Sequence, residues 1–466
     1  MSMTEGERSM PKRQYLCIDQ KSFYATVECV ARGLDPMTTN LVVADPTRSE
    51  NTICLAVSPS LKALGVKNRC RIKDIPSYIK HIVAQPRMQL YIDCAAEIYG
   101  VFLKYIAPED IHVYSIDESF LDVTPYLAMY KMTAKEIALM IIRDVKDTVG
   151  TICTCGIGTN LYLAKIALDI KAKHASDFVG ILDEESYRAE LWDHQPLTDF
   201  WQIAGGKSAR LRNHGITTMR QIAMMDENYL YDWFGIDAEL LIDHAWGYEP
   251  CTIAEIKSYK PETNSIGSGQ VLQCPYTFEK AKLVVKEMTD LLVLDLVDKN
   301  LVTDQMVLTI GYDVENLQGK SSYRGEVTTD HYGRKIPKHA HGTANLDRQT
   351  SSTKLIMDAV MELYDRIVNP DLLVRRINLT ACKVVDESEA KKYSGAGEQL
   401  DIFTDYAELE RKCTEEKAAL QREKNMQKAV LELKKKYGKN IILKGMNLEE
   451  DATARERNAQ IGGHKA

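Results

Sequence analysis

The sequence predicts an α+β protein of several domains. Three observations carry this. Short apolar runs of strand length alternate with amphipathic helical stretches up to about residue 177. A mostly helical stretch then runs from about 180 to 250, punctuated by Gly205-Gly206 and Gly215. A second strand-and-helix unit follows, between about 265 and 385. The length of 466 residues allows three or four domains at about 150 residues each.

Taken in order, Tyr15–Asp19 reads as a short buried strand that ends in a carboxylate, followed by a helix from Ser22 to about Arg32. Leu41–Ala44 and Ile53–Val57 read as two strands joined by a hairpin loop, 45–51. Leu61–Leu64 is helical and stops at Gly65, and a long helix spans about Arg87 to Tyr105, between Pro86 and Pro108. Val113-Tyr114-Ser115 and Phe120-Leu121-Asp122-Val123 flank Asp117-Glu118, which suggests a β-hairpin with carboxylates at its tip. Ile137, Ile141, Val145 and Val149 recur every four residues, the mark of an amphipathic helix. Thr151–Ile157 reads as a strand and Leu161–Lys171 as a helix. Residues 251–265 read as a linker. The second unit offers a strand near Gly269–Leu272, a helix carrying Val284, Met288 and Leu291, a strand Met306–Tyr312, a long polar stretch 313–345, a helix 351–367 and a strand Arg376–Val384. Residues 386–404 read as flexible and 406–437 as a charged helix ending near Gly438. No internal repeat is evident.

Composition excludes some classes. Apolar residues make up 45% and charged residues 27%, values of a chain with a large core and not of a disordered one. The longest apolar run, Ile137–Ile142, has six residues, against the roughly 18 a membrane helix needs. Met1–Arg13 is polar and lacks the apolar core of a signal peptide. Eleven scattered cysteines without a paired CxxC unit suit reduced thiols and a cytoplasmic location, and Cys153-Thr154-Cys155 reads as strand, not as a metal knuckle. The net charge is −7, yet segment 411–439 holds ten Lys/Arg against four Glu. Segment 320–354 holds seven against three, with His331, His339 and His341. Such segments are solvated surfaces or local basic faces that meet nucleic acid.

Asp19, Asp117 and Glu118 stand out: one acid ends an apolar strand and two sit at a hairpin. Unpaired carboxylates near a core are costly. A cluster of them is tolerable when divalent cations neutralise it, and Mg²⁺ favours a few carboxylates plus substrate phosphates. The residues alone leave a second reading open, a helix-capping Asp and an ordinary surface turn.

Longer motifs surround these acids. Cys17-Ile-Asp19-Gln-Lys-Ser-Phe-Tyr24-Ala-Thr-Val-Glu28 resembles the opening motif of Y-family translesion DNA polymerases. Tyr114-Ser-Ile-Asp117-Glu118-Ser-Phe-Leu-Asp122 resembles their second motif, and Cys155-Gly-Ile-Gly-Thr-Asn-Leu-Tyr-Leu-Ala-Lys165-Ile-Ala167 their third, in the same order and spacing. The chain is similar to the UmuC-like (ImpB/MucB/SamB) branch, over nearly its whole length and most strongly over 15–175.

The resemblance implies a right-hand polymerase. Its palm, a mixed α/β sheet, would span 1–23 and 86–177, with small fingers at 24–85. A helical thumb with a helix–hairpin–helix would span 178–252, an α+β little finger 256–385, and a flexible tail 386–466. Asp19, Asp117 and Glu118 match the catalytic, metal-binding carboxylates for two Mg²⁺ ions, and Gln20 would add its backbone carbonyl. Phe23 would offer backbone amides to the nucleotide, and Tyr24 matches the steric gate beneath the sugar. Lys62 takes the place of the basic triphosphate ligand, Ser58 offers a hydroxyl, and Pro59 stands where several relatives carry a tyrosine. Lys173 is the choice for a second basic ligand, with Lys171 competing; Lys21 stays unassigned. Gly205, Gly206 and Lys207 match the thumb's DNA-phosphate contact. Gln399-Leu400-Asp401-Ile402-Phe403 resembles the bacterial sliding-clamp peptide. The implied activity is low-fidelity, template-directed DNA synthesis in translesion and SOS-type repair. Its partners would be primer–template DNA, dNTP, the sliding clamp and possible accessory subunits. Two rivals are a non-catalytic DNA- and clamp-binding damage-response factor and a palm-type nucleotidyl cyclase.

Overall fold

The computed structural model describes residues 13–47, 50–262, 264–318, 323–330, 333–390 and 406–465. The chain divides between Tyr259 and Lys260 into two units, and the fold class is the expected α+β one.

The first unit contains, in chain order, β1 (Tyr15–Gln20), α1 (Phe23–Val30), β2 (Leu41–Val43), β3 (Ala56–Val57), α2 (Pro59–Ala63), β4 (Ile82–Ala84) and α3 (Met88–Phe102). There follow β5 (Ile111–Val113), β6 (Glu118–Asp122), α4 (Thr124–Tyr130), α5 (Ala134–Val149), β7 (Cys153–Gly158), α6 (Leu161–Ile166) and β8 (Val179–Leu182). The helices α7 (Glu184–Leu191), α8 (Gly205–Asn213), α9 (Met219–Ala223), α10 (Glu227–Phe234), α11 (Asp237–Trp246) and α12 (Ile253–Ser258) complete it. Its main sheet has the order β5-β6-β1-β7-β8, with only β7 and β8 parallel. A small sheet, β3-β2-β4, packs Val42, Val57 and Leu61 into a core of its own.

Side chains alternate across a strand, so the main sheet has two distinct faces. Leu16, Ile18 and Gln20 point one way, toward the side covered by α3 and α5, where Ile98, Val101, Ile137, Ile141 and Val145 are buried. Thr133 and Glu136 form a capping box that starts α5, and Gly150 ends it in the left-handed region at φ 78°. Tyr15, Cys17 and Asp19 point the other way, where Phe120 of β6 joins Leu161, Ala164 and Leu168. Every residue from Leu161 to Leu168 is buried, because α6 is covered twice. Leu161 and Ala164 meet the sheet, while Tyr162, Leu163 and Ile166 meet Tyr187, Leu191 and Phe200 of the helical segment.

This close approach requires glycine. A Cβ on Gly156 would lie 2.0 Å from the Ala164 carbonyl oxygen, and one on Gly158 would lie 2.1 Å from the Ala164 amide. Both contacts are to backbone, so no rotamer change relieves them.

The second unit contains β9 (Ile266–Tyr276), α13 (Phe278–Asp298), β10 (Leu301–Tyr312), β11 (Val327–Thr329), β12 (Lys335–Pro337), β13 (Ala340–Thr350), α14 (Thr353–Ile367), β14 (Val374–Cys382), β15 (Val385–Asp386), α15 (Tyr406–Tyr437) and α16 (Ala454–Asn458). Its antiparallel sheet has the order β13-β10-β14-β9, with β15 beside β10. Met306, Leu308 and Ile310 alternate inward beneath Val284, Met288, Ile356 and Val360 of α13 and α14. Thr309, Asn378 and Thr380 point outward on the polar face.

Three expectations change here. The stretch 251–265 holds a helix, α12, whose Ile253 is buried beside Tyr15 and Phe120; the Thr252–Glu255 capping box starts it. The polar stretch 313–345 contains strands, including most of β13, whose alternation is between half-exposed and exposed residues and so has no apolar period. The described part of the tail does not hang free. Glu287 of α13, 1% exposed, accepts hydrogen bonds from Asn447 Nδ2 at 2.9 Å, Thr453 N at 2.7 Å and Ala454 N at 3.1 Å. Glu423 of α15 accepts from the Lys354 amide at the start of α14, at 3.1 Å.

Gly156→Ala is expected to cost at least about 3 kcal/mol, because overpacking against backbone cannot relax. Gly100→Ala, inside α3 with no atom within 4 Å of its added Cβ, is expected to gain up to about 1 kcal/mol. Denaturation midpoints of the two variants should therefore move in opposite directions.

Candidate active site

The carboxylates come together through strand register. Asp19 of β1 lies directly opposite Glu118 of β6, which sets their Cα atoms roughly 5 Å apart with both side chains on the α6 face. Asp117 precedes β6, and its carbonyl accepts the Gln20 amide at 2.9 Å. Its carboxylate accepts from Ser115 Oγ at 2.7 Å. Of the pair expected at the hairpin tip, only Asp117 lies in the turn; Glu118 is the first strand residue.

Crowding of like charge in a buried place has a measurable sign. Burial, followed by repulsion from Asp117 and Glu118, pushes the Asp19 carboxyl up from 3.8 to about 7; Lys173 and Lys165 pull it back only partly. Glu118 meets its countercharge directly, with Lys165 Nζ 2.9 Å from Oε2 and Cys17 Sγ 3.2 Å from Oε1. Lys165 also holds Asp169 at 3.0 Å. Burial would lower the lysine's pKa, but Cys17, Asp169 and Glu118 together raise it, so it stays charged. The third motif contains Lys165 but assigns it no role. A single cation inside the otherwise apolar run Leu161–Leu168 was the available signal, since a buried lysine requires a partner.

This donor set fits a hard divalent cation, which prefers carboxylate oxygens and offsets the repulsion carried by Asp19. Among the described residues no three His, Cys, Asp or Glu side chains already close around one point. The Gln20 side chain takes no part, because it is buried on the opposite face with Thr151 and Cys153.

Basic residues gather on the Asp19 side. Burial lowers the Lys62 pKa, Asp19 raises it, and Lys173 and Lys21 lower it again, so these three lysines and Asp19 share one electrostatic neighbourhood. Lys171 turns elsewhere, 2.7 Å from Glu190. The cause is a π-helical turn, Ala167–Lys171, which adds a residue to the end of α6 and rotates the register. Lys173 pairs with Asp169 at 2.9 Å. Lys21 lies over the Phe178 ring, 4.6 Å from its centre.

Ser58 requires a correction. It is 0% exposed, and its Oγ accepts the Leu41 amide at 3.1 Å and caps α2 through the Leu61 amide at 3.4 Å. A hydroxyl held inside the small sheet's core cannot reach a triphosphate. Phe23 is buried, and Tyr24 is half-buried with its hydroxyl pKa raised by burial and by Asp117, so it borders the acids. Gly205 and Gly206 open α8 at an exposed N-terminus that no side chain caps, and Lys207 follows, 3.4 Å from Asp237. Gln399–Phe403 lie outside the described residues.

This geometry can be set beside known proteins. A solved Y-family DNA polymerase chimera superposes with a TM-score of 0.60 over 80% of this chain and 99% of its own, at 19% identity. The fold is therefore that of a Y-family DNA polymerase. The impB/mucB/samB family model matches residues 18–169 and the C-terminal domain model of the same family matches 263–394, more than half of the chain together. The chain belongs to the impB/mucB/samB family. It is 29% identical, over 98% of both chains, to a Bacillus subtilis (strain 168) protein, UvrX, whose name assigns it provisionally to UV-damage repair. It is 26% identical to DNA polymerase IV 2 of the same organism, over 98% of this chain and 99% of the relative. Over 108 residues, 23% of this chain and 94% of the relative, it is 39% identical to that organism's DNA repair protein homolog YozK. No helix among the described residues is long and apolar enough to cross a membrane.

Two outcomes follow from the charges. An Asp with a folded pKa near 7 and an unfolded value of 3.8 binds more protons when folded between those values. Stability from this group therefore falls as pH rises through about 4 to 7. In Mg²⁺-free buffer the melting temperature should drop between pH about 5 and about 8, and Mg²⁺ should raise it more at the higher pH. Asp19→Asn should flatten both differences. Separately, Lys165→Met should cost about 3–5 kcal/mol, because it leaves Glu118 buried and unpaired.

Proposed function

We propose that this chain carries out low-fidelity, template-directed DNA synthesis across damaged template in DNA repair, by two-metal-ion nucleotidyl transfer. The observation that carries this reading is the register pairing of Asp19 with Glu118 beside Asp117, faced by Lys62 and Lys173. Asp19, Asp117, Glu118 and the Gln20 carbonyl would hold two Mg²⁺ ions. When bound, such ions activate the primer 3′-hydroxyl and stabilise the departing pyrophosphate.

The chain's own residues do the remaining work. Lys62 and Lys173 bind the triphosphate and offset charge on its oxygens, with Phe23 presenting its backbone. Tyr24 lies beneath the sugar and excludes a ribose 2′-hydroxyl. Gly205, Gly206 and Lys207 hold a DNA phosphate through exposed amides and a cation, a contact without sequence preference. Lys165 holds the Glu118 side chain in place through its ion pair. The domain spans implied by the motifs, from palm to little finger, fit this division of labour. Small fingers leave few contacts on the nascent pair, so distorted templates are tolerated at the expense of fidelity. Gln399–Phe403 would dock on the bacterial sliding clamp through a glutamine and two apolar anchors, in an SOS-type response within the cytoplasm.

Primer extension with Mg²⁺ opposite an abasic site and a bulky adduct tests the reading. Extension past both is expected, with Asp117→Asn inactive. Full activity of Asp117→Asn, or nucleotide turnover without primer–template, would overturn it. Tyr24→Ala should raise ribonucleotide incorporation. Deleting 399–403 should spare distributive synthesis and abolish stimulation by the clamp.

A further inference from the structure

Behind Tyr24 lies a second aromatic layer that no motif covers. The ring of Tyr91 on α3 stacks on the Tyr24 ring, with centroids 4.5 Å apart and planes inclined by 19°. Tyr91 is 0% exposed. Its hydroxyl donates to Glu28 Oε1 at 2.7 Å. Glu28, whose side chain is also fully buried, accepts from Arg87 Nε at 3.0 Å and Nη2 at 2.7 Å, and Arg32 pairs with it as well.

Spacing explains the assembly. Tyr24 and Glu28 stand four apart on α1, and Arg87 and Tyr91 stand four apart at the start of α3, so each pair shares a helix face. The two faces meet as ring on ring and carboxylate on guanidinium. Burial raises the Glu28 pKa, but hydrogen bonds from Arg87, Tyr91 and Arg32 outweigh it and lower it, so the carboxylate remains an acceptor. The Tyr91 ring is thereby fixed at its polar end, while its flat face is left to Tyr24.

We propose that Tyr91 is a positioning residue for sugar selection, acting through Tyr24. This rests on the reading of Tyr24 as the wall beneath the sugar. A steric wall discriminates only if it cannot retreat. A ring backed by solvent or by a flexible aliphatic chain yields to a 2′-hydroxyl. A ring stacked on a second ring, itself pinned by a bidentate ion pair, does not.

The test is single-nucleotide incorporation on undamaged primer–template, comparing kcat/KM for a dNTP and the matching rNTP. Tyr91→Leu should lower the dNTP-to-rNTP ratio about tenfold while dNTP incorporation falls less than that. Tyr91→Phe, which keeps the stacked ring, should retain most of the ratio. Tyr24→Ala/Tyr91→Leu should be no less selective than Tyr24→Ala, because both changes act through one ring. An unchanged ratio in Tyr91→Leu while Tyr24→Ala collapses it overturns the role of Tyr91 alone, as does a multiplicative double variant. An unchanged ratio in Tyr24→Ala overturns the wall reading, and the role of Tyr91 with it. Should Tyr91→Leu not fold, Tyr91→Met serves, since its flexible chain fills the buried site without a ring to stack on Tyr24. A lower ratio there supports the proposal and an unchanged one overturns it.

Discussion

The packing of α6 against β7 at backbone distance is the constraint on which the site depends. Gly156 and Gly158 remove the two Cβ atoms that would hold the helix off. Only then does Lys165 reach Glu118 across the face of the sheet. A helix raised by the width of a methyl group would strand a buried cation on one side and a crowded carboxylate on the other. The same helix is the seat of the helical segment through Tyr162, Leu163 and Ile166. Two small residues thus determine both the electrostatics of the acids and the footing of the layer above them. That is a packing explanation for glycines that a reading of the motif alone assigns to no chemistry.

Around this contact the charges are arranged unevenly. The acids repel, and the chain answers with Lys165 for Glu118 while leaving Asp19 short of compensation. The π-turn after α6 matters here. It carries Lys171 over β8 toward Glu190 and brings Lys173 into the field of Asp19 and Lys62. A residue that is one turn out of place in a straight helix is in place after a π-turn, and the cost of the irregular turn is met by burial of Ala167 and Leu168. Charge imbalance at Asp19 and cations held a short distance away are what a site for a metal-bound triphosphate requires.

Much of this was legible in the sequence, and the failures have physical causes. The strands and helices of the main sheet follow apolar periodicity, and the three acids are marked by their motifs. The strand β13 was hidden because Ala340–Thr350 borders a polar face and buries almost nothing. The helix α12 was hidden because six residues are too few to show a period. Ser58 was misread because a serine before a proline suits both a phosphate contact and a helix cap, and only burial separates them. Lys165 and Tyr91 were missed for a common reason. Each acts through a partner distant in the chain: the lone cation in Leu161–Leu168 shows that a partner is needed but not which one, and Tyr91 stands in an ordinary helical pattern.

The basic tail shows why charge counts mislead in the same way. Of the ten Lys/Arg in 411–439, Arg411 and Lys412 pair with Glu415 and Glu408 on their own helix. Lys424 and Lys435 pair with Glu387 and Asp298. Lys434 donates to the carbonyls of Lys439 and Ile442, at 2.6 and 2.8 Å, just past the end of α15. Five of the ten cations are therefore engaged by partners within the second unit. Gln427, 5% exposed, fastens the helix by donating to the Ser351 carbonyl and Thr353 Oγ1. A cation spent on a neighbouring carboxylate contributes little to a long-range field and releases few counterions on meeting DNA. The segment's positive charge is better read as the means by which a long polar helix is attached to the second unit, with only its remainder available to a polyanion.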